Sequence, residues 1–222
     1  MSDSVVLSQV MERVRGAAGL VFDFDGTLVD STPIKAQAFE RVFSAFPQRL
    51  PEILRYCRSH NHTPRWEKFR WVYEKILGLP YDQATEAELN RQFEAYTTRQ
   101  IAAAPEIPSA ERFIRSLRES HWLGLLSATP HPILLEILVQ RGWASDFHRV
   151  QGAPVNKGEW LARLRAERGW KSEEMIFFGD TEEDARSAGE AGCLFVAVRC
   201  ADRADARSLF ILDFAELAVA RS

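Results

Sequence analysis

Cysteine is scarce in this chain: three residues, Cys57, Cys193 and Cys200, in 222. They cannot pair completely and show no CxxC spacing, which argues against both a disulfide framework and a zinc ribbon. Small apolar fillers in a reducing compartment are the expected roles. Long hydrophobic runs are missing as well, and nothing approaches the roughly 20 apolar residues of a membrane span. The opening MSDSVVLSQVMERVRG has neither a basic start nor a long apolar centre, so secretion is not signalled and a cytoplasmic protein is expected. Lysine is limited to five residues and the formal net charge is -3, with no basic block to suggest a nucleic-acid binder. What is present is a 46% hydrophobic, 27% charged composition, enough for one compact domain or for one domain carrying an insertion.

Short apolar runs at 20–24, Trp122–Leu126, Met175–Phe178 and Cys193–Val198 read as buried strands. A further short strand is expected at Phe147–Val150. Ile133, Leu134, Ile137 and Leu138 repeat at helical spacing before Gly142, and Trp160, Leu161 and Leu164 do so before Gly169. Strands alternating with helices predict a Rossmann-like α/β core, a doubly wound parallel sheet covered on both faces. Residues 31–105 interrupt the alternation. Three apolar stripes run through them: Phe39, Val42, Phe43 and Phe46; Trp66, Phe69, Tyr73, Ile76 and Leu77; and Leu89, Phe93 and Tyr96. The core of a small helical domain explains these aromatics better than a ligand cage does. The expected organisation is therefore a core of 1–30 with 106–222 and a helical insertion of 31–105, with hinges near Ser31–Thr32 and Ala104–Pro105.

The chemistry-bearing residues sit where the strands end. Asp23 and Asp25 flank Phe24 after the first strand, and alternate residues of an extended chain face the same way. GDTEED at 179–184 follows the strand that ends at Phe178. Parallel strands bring their carboxyl ends to one edge, where open α/β sheets bind ligands. Asp23, Asp25 and Asp180 are thus expected to converge, and a hard divalent cation such as Mg²⁺ would offset their repulsion. Asp residues that merely build a turn are the plainer alternative. Ser127, in LLSATP, stands where its hydroxyl could hold an oxyanion, or where a serine simply makes a turn. Lys157 opens a helix, where its charge opposes the dipole unless an anion lies close by.

DFDGTLVDS at 23–31, Ser127, Lys157 and GDTEED at 179–184 occur in the order of the four motifs of the haloacid dehalogenase superfamily. The chain resembles that family from Val21 to about Val198, and the insertion resembles the α-helical cap of its phosphoglycolate phosphatase and β-phosphoglucomutase branch. The resemblance implies a phosphatase acting on a small phosphorylated metabolite, and the composition leads us to expect no nucleic-acid or membrane partner. Asp23 is then the nucleophile that becomes an aspartyl phosphate, and Asp25 the acid and base. Mg²⁺ is held by Asp23, the Asp25 carbonyl and Asp180, with Asp184 and Thr27 supporting from behind. Ser127 and Lys157 stabilise the phosphoryl group. A second acid such as Asp25 is absent from the family's dehalogenases, so phosphoryl transfer is favoured. Ala128-Thr129-Pro130 departs from many relatives, which have Asn or another small polar residue after the Ser, and Pro130 removes a backbone donor. A phosphomutase and a catalytically silent binding protein are the alternatives.

Gly26 and Ala128 are candidates for substrate contact near the phosphoryl site. In the cap, His60-Asn61-His62-Thr63-Pro64-Arg65 is unusually polar for its surroundings. Thr63 is expected as an N-cap and Pro64 as the first helical residue. Arg65, Lys68 and His62 are the candidates there to read the rest of the substrate, with a plain solvated loop as the alternative. His60 and His62 lack the acidic or Cys company of a metal site.

Overall fold

A computed structural model describes residues 3–60, 63–199 and 209–219, so Asn61, His62 and Cys200 lie outside the described residues. The chain divides into two compact units, 1–30 with 104–222, and 31–103. Ala104 and Pro105 therefore go with the sheet-bearing unit rather than with the insertion. Among the described residues, no helix is long and apolar enough to cross a membrane.

Among the described residues, the first unit is built on a six-stranded sheet, β1 (Gly19–Phe22), β2 (Trp122–Pro130), β3 (Arg149–Ala153), β4 (Met175–Gly179), β5 (Leu194–Val198) and β6 (Leu209–Ile211). All pairings are parallel, in the order β3-β2-β1-β4-β5-β6. Every residue of β1 and β4 is buried, as continuous apolar runs require when both sheet faces are covered. The pleat sorts them. Val21 and Phe177, paired in register, face Trp160, Leu161 and Leu164 of α8 (Lys157–Arg168) and Ala188 and Ala191 of α9 (Glu182–Ala191). Their neighbours Phe22 and Phe178 stack on the other face, centroids 4.9 Å apart, against Phe113 of α6 (Ala110–Leu117) and Phe214. The sheet is doubly wound, with α7 (His131–Arg141) packed on β2 and β3 and α1 (Asp3–Gly16) against β6. Its strand order reverses direction between β1 and β4, and the crevice outside the carboxyl ends of such a pair is where these sheets bind ligands.

Three expectations about strands need correction. The first strand ends at Phe22, not residue 24, because the chain turns into a hydrogen-bonded loop at once. β2 runs on to Pro130, so Ser127 lies within it rather than after it. The strand expected at Phe147–Val150 is β3, Arg149–Ala153. At the sheet edge it has one strand partner, and its polar Arg149 and Gln151 hide it from a search for apolar runs.

The elements of the second unit, among the described residues, are helices: α2 (Thr32–Val42), α3 (Leu50–Ser59), α4 (Arg65–Trp71) passing into a π-helical stretch (Val72–Leu77), and α5 (Gln83–Ala103). Phe39, Phe43, Ile53, Phe69, Val72, Ile76, Leu89 and Phe93 form its core, so the aromatic stripes are packing rather than a cage. The phase of α4 differs from expectation. Trp66 is exposed, with the Arg70 guanidinium 5.2 Å over its ring, while Lys68 is 5% exposed. The Lys68 ammonium sits 5.3 Å over the Phe39 ring and 3.4 Å from the Cys57 carbonyl, so this lysine is an interior residue. The start of α4 also moves by one residue. Pro64, with extended ψ of 143°, is the cap, and its carbonyl accepts the first helical bond from Lys68 N–H. Thr63 does not cap it.

Candidate active site

Asp23 is the first residue beyond β1, and its N–H donates to the Phe178 carbonyl at 2.8 Å, fixing it beside β4. The next six residues close on themselves. Leu28 and Val29 N–H donate to the Phe24 carbonyl, and Gly26 N–H donates to the Val29 carbonyl. Gly26 has φ +87°, and a Cβ there would lie 2.2 Å from Asp180 Oδ2. Glycine is thus required twice over, by the left-handed backbone and by the approach of the loop to that carboxylate. Thr27 Oγ1 donates to Asp180 Oδ1 at 3.3 Å. Gly26 and Thr27 together position Asp180.

Asp180 and Asp184 come from the turn between β4 and α9. Thr181 caps α9: its Oγ1 accepts from Asp184 N–H at 3.1 Å, and Asp184 Oδ2 accepts in return from Thr181 N–H (3.2 Å) and Thr181 Oγ1 (2.6 Å). The other oxygen of the buried Asp184 carboxylate accepts from Lys157 Nζ at 2.7 Å. Lys157 opens α8, whose N-cap Asn156 accepts from Glu159 N–H at 3.1 Å. The same Nζ donates to Asp23 Oδ1 at 2.7 Å. One ammonium therefore ties the end of β1 to the start of α9. These groups are 11% exposed or less, so the attraction is little screened.

The balance of charge is unfavourable without a further cation. Burial pushes the Asp23 carboxyl well above the usual range; Lys157 opposes this, while Asp184, Asp180 and Asp25 push the same way. Burial alone would lower Lys157, but Asp23 and Asp184 outweigh it and hold the ammonium charged. Asp23, Asp180 and Asp184 each present a carboxylate oxygen, and the three lie within 4.8 Å of one another. An all-oxygen donor set with this surplus of negative charge fits a hard divalent cation.

Asp25 reaches β2. Its Oδ2 accepts from Thr129 Oγ1 at 2.7 Å and from Ser127 Oγ at 3.5 Å, and Ser127 Oγ accepts from Thr129 N–H at 3.0 Å. Ser127 and Thr129 are buried while Ala128 between them is exposed, the alternation of a strand. Within one unit, Lys157 thus links Asp23 to Asp184, Asp180 lies with these carboxylates and beside Gly26 and Thr27, and Asp25 and Ser127 form a second group with Thr129. Arg65 and Lys68 belong to the helical unit, where Arg65 pairs with Glu94 at 2.7 Å and lies 4.8 Å over the Phe93 ring. Sequence reasoning passed over two participants, Thr129 and Thr181. Thr181 carries a visible signal, the T-x-x-D spacing of a capping box. Thr129 shows only its two-residue offset from Ser127.

The family model for haloacid dehalogenase-like hydrolases matches residues 17–192. A phosphoglycolate phosphatase of Cereibacter sphaeroides is 32% identical over 189 residues, covering 80% of this chain and 83% of its own. One from Synechococcus elongatus is 29% identical over 187 residues, covering 81% and 82%. Among solved structures, a predicted phosphoglycolate phosphatase from Haemophilus somnus superposes with a TM-score of 0.70 at 18% identity, over 93% of this chain and 99% of that one. A haloacid dehalogenase-like family protein from Streptococcus pneumoniae gives 0.68 at 17% identity, over 93% and 99%. With this sheet, this order of motifs and a match over most of its length, the chain belongs to the haloacid dehalogenase-like hydrolases.

Proposed function

We propose that the protein is a Mg²⁺-dependent phosphatase that hydrolyses a small phosphomonoester through a phosphorylated Asp23. The observation that carries this reading is the position of Asp23: buried at the carboxyl end of β1, held by Lys157, among three further carboxylates. The names of the relatives from Cereibacter sphaeroides and Synechococcus elongatus support phosphoglycolate as the first substrate to try.

In the proposed reaction an Asp23 oxygen attacks phosphorus and the P–O bond to the alcohol breaks, while protonated Asp25 gives its proton to the departing oxygen. A water molecule then attacks the phosphoryl group. Its proton passes to Asp25, the Asp23–phosphorus bond breaks, and inorganic phosphate leaves. Lys157 and the Ser127 hydroxyl stabilise charge on the transferring oxygens, and such fixed charges and donors lower the barrier to phosphoryl transfer more than any other single effect. Asp23, Asp180 and the backbone carbonyl of Asp25 would hold Mg²⁺, with Asp184 beside them. The ion would supply positive charge for the phosphoryl oxygens. Asp184 keeps Lys157 in place through Oδ1 while its other oxygen caps α9.

The test is turnover of phosphoglycolate by the purified protein with and without Mg²⁺, repeated for Asp23→Asn. Phosphate release that requires the metal and falls by at least about 10³-fold in Asp23→Asn is expected, since loss of a covalent nucleophile typically costs that much or more. Undiminished turnover by Asp23→Asn would remove it from the nucleophile's role.

A further inference from the structure

We propose that Thr129 is a positioning residue for Asp25, holding one oxygen of its carboxylate so that the proton passes through the other. The inference rests on the phosphatase reading and deepens it. It also gives a role to Thr129, one residue of the departure at Ala128-Thr129-Pro130.

The Thr129 hydroxyl donates to Asp25 Oδ2 at 2.7 Å, where Ser127 Oγ reaches only 3.5 Å. A hydroxyl donating to a carboxylate is among the stronger neutral-to-charged contacts, and it requires Oδ2 to act as an acceptor. Where the hydroxyl goes on donating to Oδ2 in the protonated acid, the acidic proton lies on Oδ1. The bond therefore selects which oxygen delivers the proton to the departing alcohol and, after the second step, which oxygen takes one from water. Thr129 also acts on the neighbouring group, since its N–H donates to Ser127 Oγ at 3.0 Å. One residue sets the direction of both the proton donor and a phosphoryl-binding hydroxyl.

Thr129 is well placed to do this because its own position is fixed. It is 8% exposed and lies on β2 where that strand's pairing with β3 shifts register, between Leu126 and Pro130. Gly152 of β3 packs so closely that a Cβ there would lie 2.5 Å from the Thr129 carbonyl oxygen and 2.6 Å from His131 Cα. Gly152 N–H also donates to His131 Nδ1 at 3.0 Å, anchoring the chain two residues further on. A rigid backbone and a β-branched side chain with restricted χ1 leave the hydroxyl little freedom to swing away from Asp25.

The experiment compares an alkyl ester, phosphoglycolate, with an aryl ester, p-nitrophenyl phosphate. The first needs a proton delivered to its leaving oxygen, and the second departs readily without one. Values of kcat/KM, which report the step that phosphorylates Asp23, are measured for wild type, Thr129→Val and Thr129→Ser. The ratio of alkyl to aryl kcat/KM should fall by about tenfold or more in Thr129→Val, a fraction of what general acid catalysis contributes, and Thr129→Ser should restore it. Should Thr129→Val fail to fold, Thr129→Ser and Thr129→Ala differ by the hydroxyl alone and give the same reading. An equal loss on both esters, or an unchanged ratio, would overturn the assignment while leaving the phosphatase reading intact. A wild-type protein inactive on both esters would overturn the two together.

Discussion

Gly26 shows how much a single residue can decide here. Its φ of +87° and its contact with Asp180 place two demands on one position that only a missing side chain satisfies. Gly26→Ala should lower the unfolding free energy by about 1–3 kcal/mol, the usual cost of holding a non-glycine residue in such a conformation. Urea denaturation measures this. The same variant should require more Mg²⁺ for half-maximal activity, because its Cβ would displace the Asp180 carboxylate. An unchanged metal titration would show that Asp180 tolerates the displacement and is not a ligand. Residue-scale roles differ in how readily sequence reveals them. Asp23, Asp25 and Asp180 are visible because carboxylates gathered at the carboxyl ends of parallel strands repel one another unless positive charge offsets them. Thr129 is not, because a threonine in a strand is ordinary until its register against Asp25 is known.

At the scale of elements, the ends of α8 and α9 bear on the site as much as the sheet does. Lys157 is the first residue of α8, and Asp184 belongs to the first turn of α9. The two caps, Asn156 and Thr181, therefore set where the ammonium and the carboxylate meet. Thr181→Ala should cost about 1 kcal/mol of stability, the typical worth of an N-cap hydroxyl. It should also lower kcat beyond what partial unfolding explains, since Asp184 loses its 2.6 Å bond and Lys157 loses a fixed partner. Thermal unfolding and kcat measured on one preparation would test this; a stability loss with unchanged kcat would limit Thr181 to capping. Elements are readable in proportion to their burial. β1 and β4, covered on both faces, betray themselves as apolar runs, whereas β3 at the sheet edge does not. The phase of α4 misleads because Lys68, by type a surface residue, lies inside, while Trp66 lies outside.

For the molecule as a whole, the parallel sheet and the interrupted βα alternation are both legible, because they follow from where apolar runs and helical stripes fall along the chain. The balance of charge at the site is legible only in outline, and it has a consequence for metal binding. Asp23 is driven toward its protonated form by burial and by its carboxylate neighbours. A carboxyl group raised in this way binds more protons folded than unfolded. The metal-free protein should thus lose stability as pH rises above the ordinary Asp range. A divalent cation needs the ionised form and displaces the proton, so Mg²⁺ affinity should tighten as pH rises from about 5.5 to about 8, by at most about tenfold per unit for one proton. Calorimetric titrations in buffers of different ionisation heat would register both the affinity and the proton released. A Kd independent of pH across that interval would contradict the origin assigned to the raised Asp23 carboxyl.

If Asp23 itself carries the phosphoryl group during turnover, mass spectrometry of acid-quenched protein detects it most directly. Wild-type protein mixed with phosphoglycolate and Mg²⁺ and quenched during turnover should yield the peptide containing Asp23 with one phosphoryl group added, and the Asp23→Asn variant should yield none. Turnover of that substrate with the phosphoryl group on another residue, or with no adduct while Asp23→Asn remains active, would contradict it.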